Sequence, residues 1–278
     1  MDNPLLSIIV PTLHRVNQVE ALLNSIVTSN YKNCEILIID QNFSNLLDTV
    51  VDKYLDKIKI NHFKVDFRSL SKAKNYGYEL ASGNIICFPD DDSEVFPETF
   101  SNAVSILQNT NSDAVFGKCV ERDLSDSVIK FEKDEGYFTS KKYEGMFLDA
   151  TIFIRKDIFK KYLYDESFGV GAFYGAEEGY DLVLRMLKDN VKMYFSPNIL
   201  FYHPRKISTH TSFQEIKRVF TYRCGFSHLC LKHKLYTKLI SRTVKVSFYI
   251  LYLAIFERVK IRYYLSELLG ILVGITVR

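Results

Sequence analysis

Three consecutive carboxylates, Asp90, Asp91 and Asp92, are the side chains best suited to do chemistry in this chain of 278 residues. They follow an apolar run that ends at Phe88 and Pro89. Like charges this close repel one another, so solvent or a bound cation must relieve the repulsion. A hard divalent ion accepts oxygen ligands and keeps positions open for phosphate oxygens. The triplet therefore predicts either a solvated acidic turn before the next helix or a site for a hard divalent cation.

Two other polar clusters follow apolar runs in the same way. Residues 6–10 are followed by Pro11, Thr12, His14 and Arg15, and residues 36–39 are followed by Asp40, Gln41 and Asn42. Ligands of open α/β sheets bind at the carboxyl ends of the strands. The three clusters are therefore expected to meet at one edge of a sheet and form a site. For His14 and Arg15, a solvated loop is the favoured interpretation over a phosphate contact.

Strands and helices alternate over the first hundred residues. Short apolar runs at 6–10, 36–39, 58–63 and 84–88 are typical of strands buried in a parallel sheet, and helical patterns separate them at 19–27, 46–54 and 69–81. Gly83 is suited to the left-handed turn after the third helix. The alternation predicts an α/β fold with a doubly wound, mostly parallel sheet. Later strands are expected at 114–118, 151–154 and 191–195, and a helix at 178–188.

The composition narrows the classes of function. With 47% hydrophobic and 25% charged residues the chain can bury a core, and a net charge of +3 is too small to indicate nucleic acid as a partner. Five cysteines without a C-x-x-C pair argue against zinc and disulfide frameworks and favour a reducing compartment. The N-terminal residues lack the basic segment of a signal peptide, so a cytoplasmic location is expected.

The C-terminal region, residues 213–278, is predicted to be helical, basic and amphipathic. Its apolar stretches at 244–256 and 261–277 are cut by charged residues, and no uninterrupted run reaches the roughly 18 residues of a membrane span. Tyr and Phe interleaved with Lys and Arg are typical of helices lying in the plane of an anionic membrane surface. We therefore expect peripheral attachment to the inner face of the cell membrane. The alternative is that these helices pack on the catalytic domain or on a second subunit. In the second case the protein would be a homo-oligomer.

Four segments resemble motifs of the family 2 glycosyltransferases, which have the GT-A fold. They are LSIIVPT at 6–12, CEILIID at 34–40, LSKAKNYG at 70–77 and ASGNIICFPDDD at 81–92, in family order. The resemblance implies inverting transfer of a sugar from a nucleotide-diphosphate sugar to a hydroxyl of a glycan or lipid-linked glycan, with Mn²⁺ or Mg²⁺ at the Asp-x-Asp motif. Residues 1–110 would form the nucleotide-sugar half of the GT-A domain, and residues 111–212 its acceptor half.

The resemblance also implies a role for each matching residue. The nucleotide site would contain Pro11, Thr12, Asp40, Gln41, Lys74, Asp90 and Asp91, and the metal site Asp92, Asp90 and His203. Gln41 stands where the family usually has a second Asp against a pyrimidine, which leaves the choice of base open. Lys74 replaces the usual Arg, so it would offer phosphate a point charge rather than a bidentate pair.

Residues 175–185, GAEEGYDLVLR, resemble the family segment that supplies the general base. A carboxylate there accepts the proton of the attacking acceptor hydroxyl. Glu178 is the favoured candidate, with Glu177 and Asp181 as alternatives. The spacing departs from that of the family, because Gly179 stands where the second acidic residue would be if Asp181 is the anchor. An acidic helix N-terminus that suits the helix dipole is the structural interpretation of the same residues.

Other functions are less consistent with the sequence. A sugar-nucleotide pyrophosphorylase would need a glycine-rich loop after the first strand, and residues 11–15 contain no glycine. A nicotinamide-dependent enzyme would need a G-x-G-x-x-G segment directly after a strand, and no predicted strand is followed by one. A catalytically inactive scaffold of the same fold remains the non-enzymatic alternative.

Overall fold

The computed structural model describes residues 3–277, and in that range nine strands form one mixed sheet. The strands are β1 (Leu6–Thr12), β2 (Cys34–Asp40), β3 (Lys59–Lys64), β4 (Ile85–Cys87), β5 (Glu94–Val95), β6 (Ala114–Val120), β7 (Gly136–Tyr137), β8 (Ile152–Arg155) and β9 (Met193–Tyr202). The helices are α1 (Val16–Thr28), α2 (Asp48–Asp52), α3 (Leu70–Leu80), α4 (Thr99–Asn109), α5 (Lys156–Phe159), α6 (Glu178–Lys188), α7 (Phe213–Lys232), α8 (Tyr236–Phe256) and α9 (Ile261–Thr276). The sheet order is β3-β2-β1-β4-β8-β6-β9-β5, with β7 paired to β9.

The parallel half of the sheet is as the sequence predicts. β1 pairs in parallel with β2 and β4, and β2 pairs in parallel with β3. Every residue of β1 is buried, as expected for a strand covered on both faces. Thr12 pairs with Asp40 in the register of β1 and β2, so the two polar clusters that follow these strands begin side by side. The α/β class and the helices between these strands are confirmed, although α2 is shorter than the predicted helix.

The second half of the sheet is mixed. β8 is antiparallel to both β4 and β6, while β9 is parallel to β6 and extends through Pro197 to Tyr202. The prediction that this strand stops at residue 195 is wrong. The pairing register of β6 and β9 shifts between Phe116 and Lys118, and such irregularities tolerate a proline inside a strand.

Gly83 is required for a reason that differs from the predicted one. In residues 3–277 the glycines with positive φ are Gly145, Gly169 and Gly171, so Gly83 does not adopt the left-handed conformation. A Cβ atom at Gly83 would lie 2.6 Å from the carbonyl oxygen of Leu5. The missing side chain thus allows the chain entering β4 to run against the start of β1.

The chain divides into two compact units. The sheet unit contains residues 3–68, 72–163 and 185–206, and the helical unit contains residues 69–71, 164–184 and 207–277. The helical unit therefore combines the C-terminal helices with part of the segment predicted to bind the acceptor. The proposed halves at 1–110 and 111–212 remain a prediction from the family resemblance.

A buried carboxylate joins the three long helices of the helical unit. Glu267 on α9 is 1% exposed and forms ion pairs with Arg223 on α7 and Arg242 on α8, each with an N–O distance of 2.7 Å. Gly270 and Gly274 bring α9 against α7, since a Cβ at either position would lie 2.4 Å from a carbonyl oxygen of α7. The ion pairs and the close backbone approach fix the packing of these helices.

α8 corrects one expectation from the sequence. The helix is 21 residues long, and an 18-residue window within it has a mean hydropathy of 1.5 and is 17% buried. By length and composition it can cross a membrane, although the uninterrupted apolar runs in the sequence are too short. A single helix of this kind is weak support for a membrane span.

Replacing Glu267 by alanine is expected to destabilise the helical unit. The change leaves Arg223 and Arg242 without their shared partner, and breaking a buried pair costs about 3–5 kcal/mol. Because both arginines are partly exposed, we expect a loss near the lower end, about 3 kcal/mol, in urea unfolding followed by circular dichroism. Glu257→Ala is the control, since its surface pair with Lys260 is worth at most about 1 kcal/mol. Equal losses in the two variants would contradict the role of Glu267.

Candidate active site

A tight turn after β4 presents the acidic triplet. The hydroxyl and the backbone N–H of Ser93 both donate to the carbonyl of Asp90, at 2.7 and 3.0 Å. Phe88, immediately before the triplet, is fully buried and anchors the turn in the core. The carboxylates of Asp90 and Asp92 are thereby held at the strand end as the sequence predicts.

His203 joins two of these carboxylates. It follows β9, and its Nε2 lies 3.2 Å from Asp92 Oδ1 and 3.6 Å from Asp90 Oδ2. Its backbone N–H donates to the carbonyl of Val120 at 3.1 Å, and Ser127 donates to its carbonyl at 2.6 Å. One candidate ligand atom from each of Asp90, Asp92 and His203 lies within 4.8 Å of the others. The structure thus brings together the three residues predicted as metal ligands.

The electrostatics of this cluster separate its members. Burial acts to lower the pKa of His203, but hydrogen bonds and charge interactions with Asp90 and Asp92 raise it to about 9. Burial acts to raise the pKa of Asp92, but the hydrogen bond from His203 and the charge of Arg15 hold it well below its usual value. Asp92 is therefore ionised at neutral pH, as a metal ligand must be.

Arg15 is the residue of this site that sequence analysis misjudged. Its Nη1 lies 3.1 Å from Asp91 Oδ1 and also contacts Asp92 Oδ2. Lys206 Nζ lies 3.8 Å from the same Asp92 oxygen. Burial raises the pKa of Asp91 to about 6, although Arg15 opposes the shift. Arg15 stands at the strand end predicted to contribute to the site, whereas no sequence pattern pointed to Lys206.

The donor set fits a divalent cation. Two carboxylates and, once it has released the proton that its raised pKa retains, the imidazole of His203 offer oxygen and nitrogen ligands of the kinds that Mn²⁺ accepts. Carboxylates are also the ligands of Mg²⁺. Arg15 and Lys206 supply positive charge beside Asp92 in the structure as it stands. These contacts show that the repulsion within the triplet is relieved by cationic side chains.

Asp40 is held at the end of β2 by an internal network. It is fully buried, and its Oδ1 accepts from the backbone N–H and the side-chain amide of Asn42 at 2.9 and 2.6 Å. Its Oδ2 lies 2.9 Å from His62 Nε2. Asn42 in turn accepts from the backbone N–H of His14 at 2.9 Å, which ties the loop after β1 to the loop after β2. Asn42, a member of the second polar cluster, and His62, which sequence analysis did not include, both position Asp40.

The other predicted nucleotide-site residues lie at the ends of β1 and β2 and on α3. Pro11 and Thr12 end β1, and the buried Gln41 donates its backbone N–H to the carbonyl of Thr12 at 3.0 Å. Lys74 on α3 is 1% exposed and forms an ion pair with Asp149. Its charge is thus balanced within the protein, and its predicted contact with phosphate stays a prediction.

The helical unit holds the three candidate bases in different environments. Asp181 is fully buried, and its Oδ1 lies 2.7 Å from Lys232 Nζ and 2.8 Å from His233 Nε2, both at the C-terminal end of α7. Glu177 has a φ of +79°, which is strained for a residue with a side chain, and burial raises its pKa against the charges of Arg223 and Lys238.

Glu178 begins α6 beside a glycine loop. A Cβ at Gly169, whose φ is +101°, would lie 3.4 Å from the carboxyl carbon of Glu178 and 2.7 Å from the hydroxyl of Ser71. This carboxylate therefore lies against backbone that only glycine can form. The structure places the favoured base at a helix N-terminus as predicted, and its role as the base stays a prediction.

Curated relatives are glycosyltransferases that this chain matches over part of their length. It is 32% identical over 188 residues to a GalNAc(5)-diNAcBac-PP-undecaprenol beta-1,3-glucosyltransferase of Campylobacter jejuni, covering 63% of this chain and 57% of the relative. It is 24% identical over 209 residues to an uncharacterized glycosyltransferase of Rickettsia typhi, covering 71% of this chain and 63% of the relative. The chain thus spans less than two thirds of the length of either protein.

Solved structures share the fold at low sequence identity. Staphylococcus aureus TarS 1-349 in complex with UDP-GlcNAc has a TM-score of 0.64 at 16% identity, covering 96% of this chain and 89% of that one. The mannosyltransferase PcManGT of Pyrobaculum calidifontis, in complex with GDP-Man and Mn²⁺, has a TM-score of 0.63 at 14% identity, covering 97% and 87%. The sequence pattern of glycosyl transferase family 2 matches residues 7–165, which is more than half of the chain, and this protein therefore belongs to that family.

Proposed function

We propose that this protein is a metal-dependent, inverting glycosyltransferase that uses a nucleotide-diphosphate sugar as donor. The observation that carries the proposal is the cluster of Asp90, Asp92 and His203, in which the carboxylates follow β4 and the histidine follows β9. Two structural neighbours bind UDP-GlcNAc and GDP-Man, the second with Mn²⁺, and this supports both the donor class and the metal. The acceptor is a hydroxyl of a glycan or lipid-linked glycan, in line with the undecaprenol-linked substrate named for the Campylobacter relative.

Donor binding is assigned to the carboxyl ends of β1, β2 and β4. Thr12 and the loop held by Asn42 would line the nucleoside, with Asp40 fixed beneath it by its internal hydrogen bonds. Asp90, Asp92 and His203 would hold Mn²⁺ or Mg²⁺, which neutralises the diphosphate as a Lewis acid when bound. Arg15 and Lys206 lie close enough to Asp92 to add positive charge where the leaving diphosphate develops negative charge.

Proton transfer is assigned to Glu178. The acceptor hydroxyl attacks the anomeric carbon while Glu178 accepts its proton, and the bond to the nucleoside diphosphate breaks on the opposite side. Asp181 is less suited to this role, since Lys232 and His233 hold its carboxylate inside the helical unit. Glu177 is the alternative base because its raised pKa makes it a stronger proton acceptor than an ordinary glutamate.

Attachment to the cytoplasmic face of a membrane is proposed for the helical unit. α8 and α9 expose large apolar side chains, including Ile240, Phe248 and Leu269. A lipid-linked acceptor would be reached from such a surface. The cytoplasmic side is favoured for two reasons. Nucleotide-sugar donors suit that side, and its reducing environment suits the five free cysteines.

Asp92→Asn is expected to weaken Mn²⁺-dependent binding of a nucleoside diphosphate. The change removes a charged ligand, and since loss of partners around a metal ligand already costs about 10–100-fold, we expect at least that loss in calorimetric titrations. Asp134→Asn is a matched control, because Asp134 is an exposed carboxylate of the sheet unit. A folded Asp92→Asn protein that binds metal and nucleotide like the control would overturn the metal assignment. The same titrations with UDP, GDP and other nucleoside diphosphates would identify the nucleobase of the donor.

Glu178→Gln is expected to reduce turnover by about 10²–10⁴-fold, the usual worth of a general base, with donor binding unchanged. Release of the sugar to water or to a model acceptor measures turnover, and NMR of the product anomer tests inversion. Asp181→Asn is expected instead to lower the melting temperature, because it removes the buried partner of Lys232 and His233. If Glu177→Gln shows the kinetic loss and Glu178→Gln does not, the base is Glu177.

A further inference from the structure

We propose that α8 and α9 form a binding site for one anionic phospholipid, with its phosphate beside Arg242 and Lys245 and its acyl chain along an apolar groove of α8. The inference deepens the membrane attachment proposed above and rests on it. It replaces a general affinity for the bilayer with a defined headgroup site and a defined path for one chain.

The headgroup site is a cavity of about 300 Å³ lined by Arg242, Lys245, Val246, Tyr249 and Tyr264. Two basic side chains and two phenols are donors suited to phosphate oxygens. Arg242 is held in place by its ion pair with Glu267, so its guanidinium is positioned before any ligand arrives. Among residues 3–277, no ion pair involves Lys245, which leaves its charge available to an anion.

The path proposed for the acyl chain is an open groove of about 490 Å³ on the neighbouring surface. It is lined by Val244, Lys245, Phe248, Tyr249 and Tyr252. Phe248 is 69% exposed there, which is unusual for an aromatic ring of this size in water. Tyr249 and Tyr252 stack at 5.7 Å with an interplanar angle of 13° and form a flat aromatic wall. The groove thus offers an apolar chain a continuous surface.

The two sites share Lys245 and Tyr249, which line both the cavity and the groove. A polar, basic pocket beside an apolar groove matches an amphiphile with an anionic end. The surrounding charge has the same sign, since residues 236–276 contain six basic residues and two acidic ones. Both acidic residues, Glu257 and Glu267, are already paired with basic side chains.

The packing of α8 indicates a helix lying in the membrane plane. Its buried residues Leu239, Val246 and Leu253 recur every seven positions and face the rest of the helical unit. Arg242 is tied to Glu267 on the adjacent helix. A helix bound along its length on one side leaves only its opposite face for lipid. Helices with a basic polar side and an aromatic apolar side adopt that arrangement at bilayer surfaces.

A second copy of the chain fits this face less well. In a two-fold interface the same patch meets itself, so the positive charge of Lys245 and Arg242 on one copy would be brought towards the same charge on the other. Like charges facing each other disfavour association unless an anion lies between them. Charge complementarity therefore favours an anionic lipid as the occupant.

The test is co-sedimentation of the full chain with vesicles of phosphatidylcholine alone or with added phosphatidylglycerol. Wild-type protein is expected to bind the anionic vesicles more tightly. Lys245→Glu should weaken that binding by roughly tenfold or more, since each basic group near an anionic surface is worth about 1 kcal/mol and the change also adds a negative charge. Lys133→Glu, an exposed lysine of the sheet unit, makes the same change in net charge and should bind like wild type. Phe248→Ser should weaken binding to both kinds of vesicle.

Several outcomes would overturn the proposal. Equal binding of vesicles by the Lys245→Glu and Lys133→Glu proteins would rule out the headgroup site. Binding of inorganic phosphate as tight as that of the vesicles would show that the groove does not contribute. Vesicle binding that survives 1 M NaCl and alkaline extraction would indicate a spanning helix, because salt at that concentration screens surface charges beyond about 3 Å. Loss of an oligomer in Phe248→Ser without vesicle binding by wild type would assign the face to a second copy.

Binding of Mn²⁺ and nucleoside diphosphate by the same preparations separates this proposal from the proposed function. If all variants keep nucleotide binding and the lipid effect is absent, only the lipid site fails. If nucleotide binding is absent in wild type while Lys245→Glu still loses vesicle binding, the proposed function fails and the lipid site stands.

Discussion

Repulsion among Asp90, Asp91 and Asp92 is the constraint on which the arrangement of the sheet unit depends. Three carboxylates in sequence beside a buried strand repel one another, and positive charge close by stabilises them in their ionised form. The protein supplies that charge from separate parts of the chain: Arg15 after β1, and His203 and Lys206 after β9. These strands must end at the same edge for the contacts to form. In the sheet order β1 is adjacent to β4, and β9 lies two positions beyond β8, which is the other neighbour of β4. This order brings the ends of the strands together.

The sequence predicts the parallel half of the fold and its acidic site well, because both depend on local patterns. Buried parallel strands are continuous apolar runs, and the polar residues that follow them lie at a common edge. The antiparallel direction of β8 leaves no such trace, since the apolar pattern of a four-residue strand does not depend on which way the strand runs. The length of β9 was underestimated because Pro197 normally ends a strand, and only the pairing with β6 shows the irregularity that admits it.

The helical unit shows a second limit of sequence reasoning. Motif spacing alone ranks Glu178 ahead of its neighbours Glu177 and Asp181, whereas tertiary contacts show how their environments differ. Asp181 is neutralised by residues about fifty positions later, and Glu177 is set apart by its backbone conformation. Arg15 illustrates the opposite case, because a residue expected in a solvated loop contacts two carboxylates once the sheet is assembled. Charge partners distant in sequence were the information that local patterns could not provide.

The irregular pairing of β9 with β6 also determines which way His203 faces. Between the two regular stretches, β6 advances from Phe116 to Lys118 while β9 advances from Phe195 to Leu200. Side chains of a strand alternate between faces, so a change of one residue in the intervening segment would reverse the direction of everything that follows. Single-residue insertions or deletions at 196–199 would then turn the imidazole away from Asp90 and Asp92. The direction of the His203 side chain therefore depends on the number of residues in this short segment.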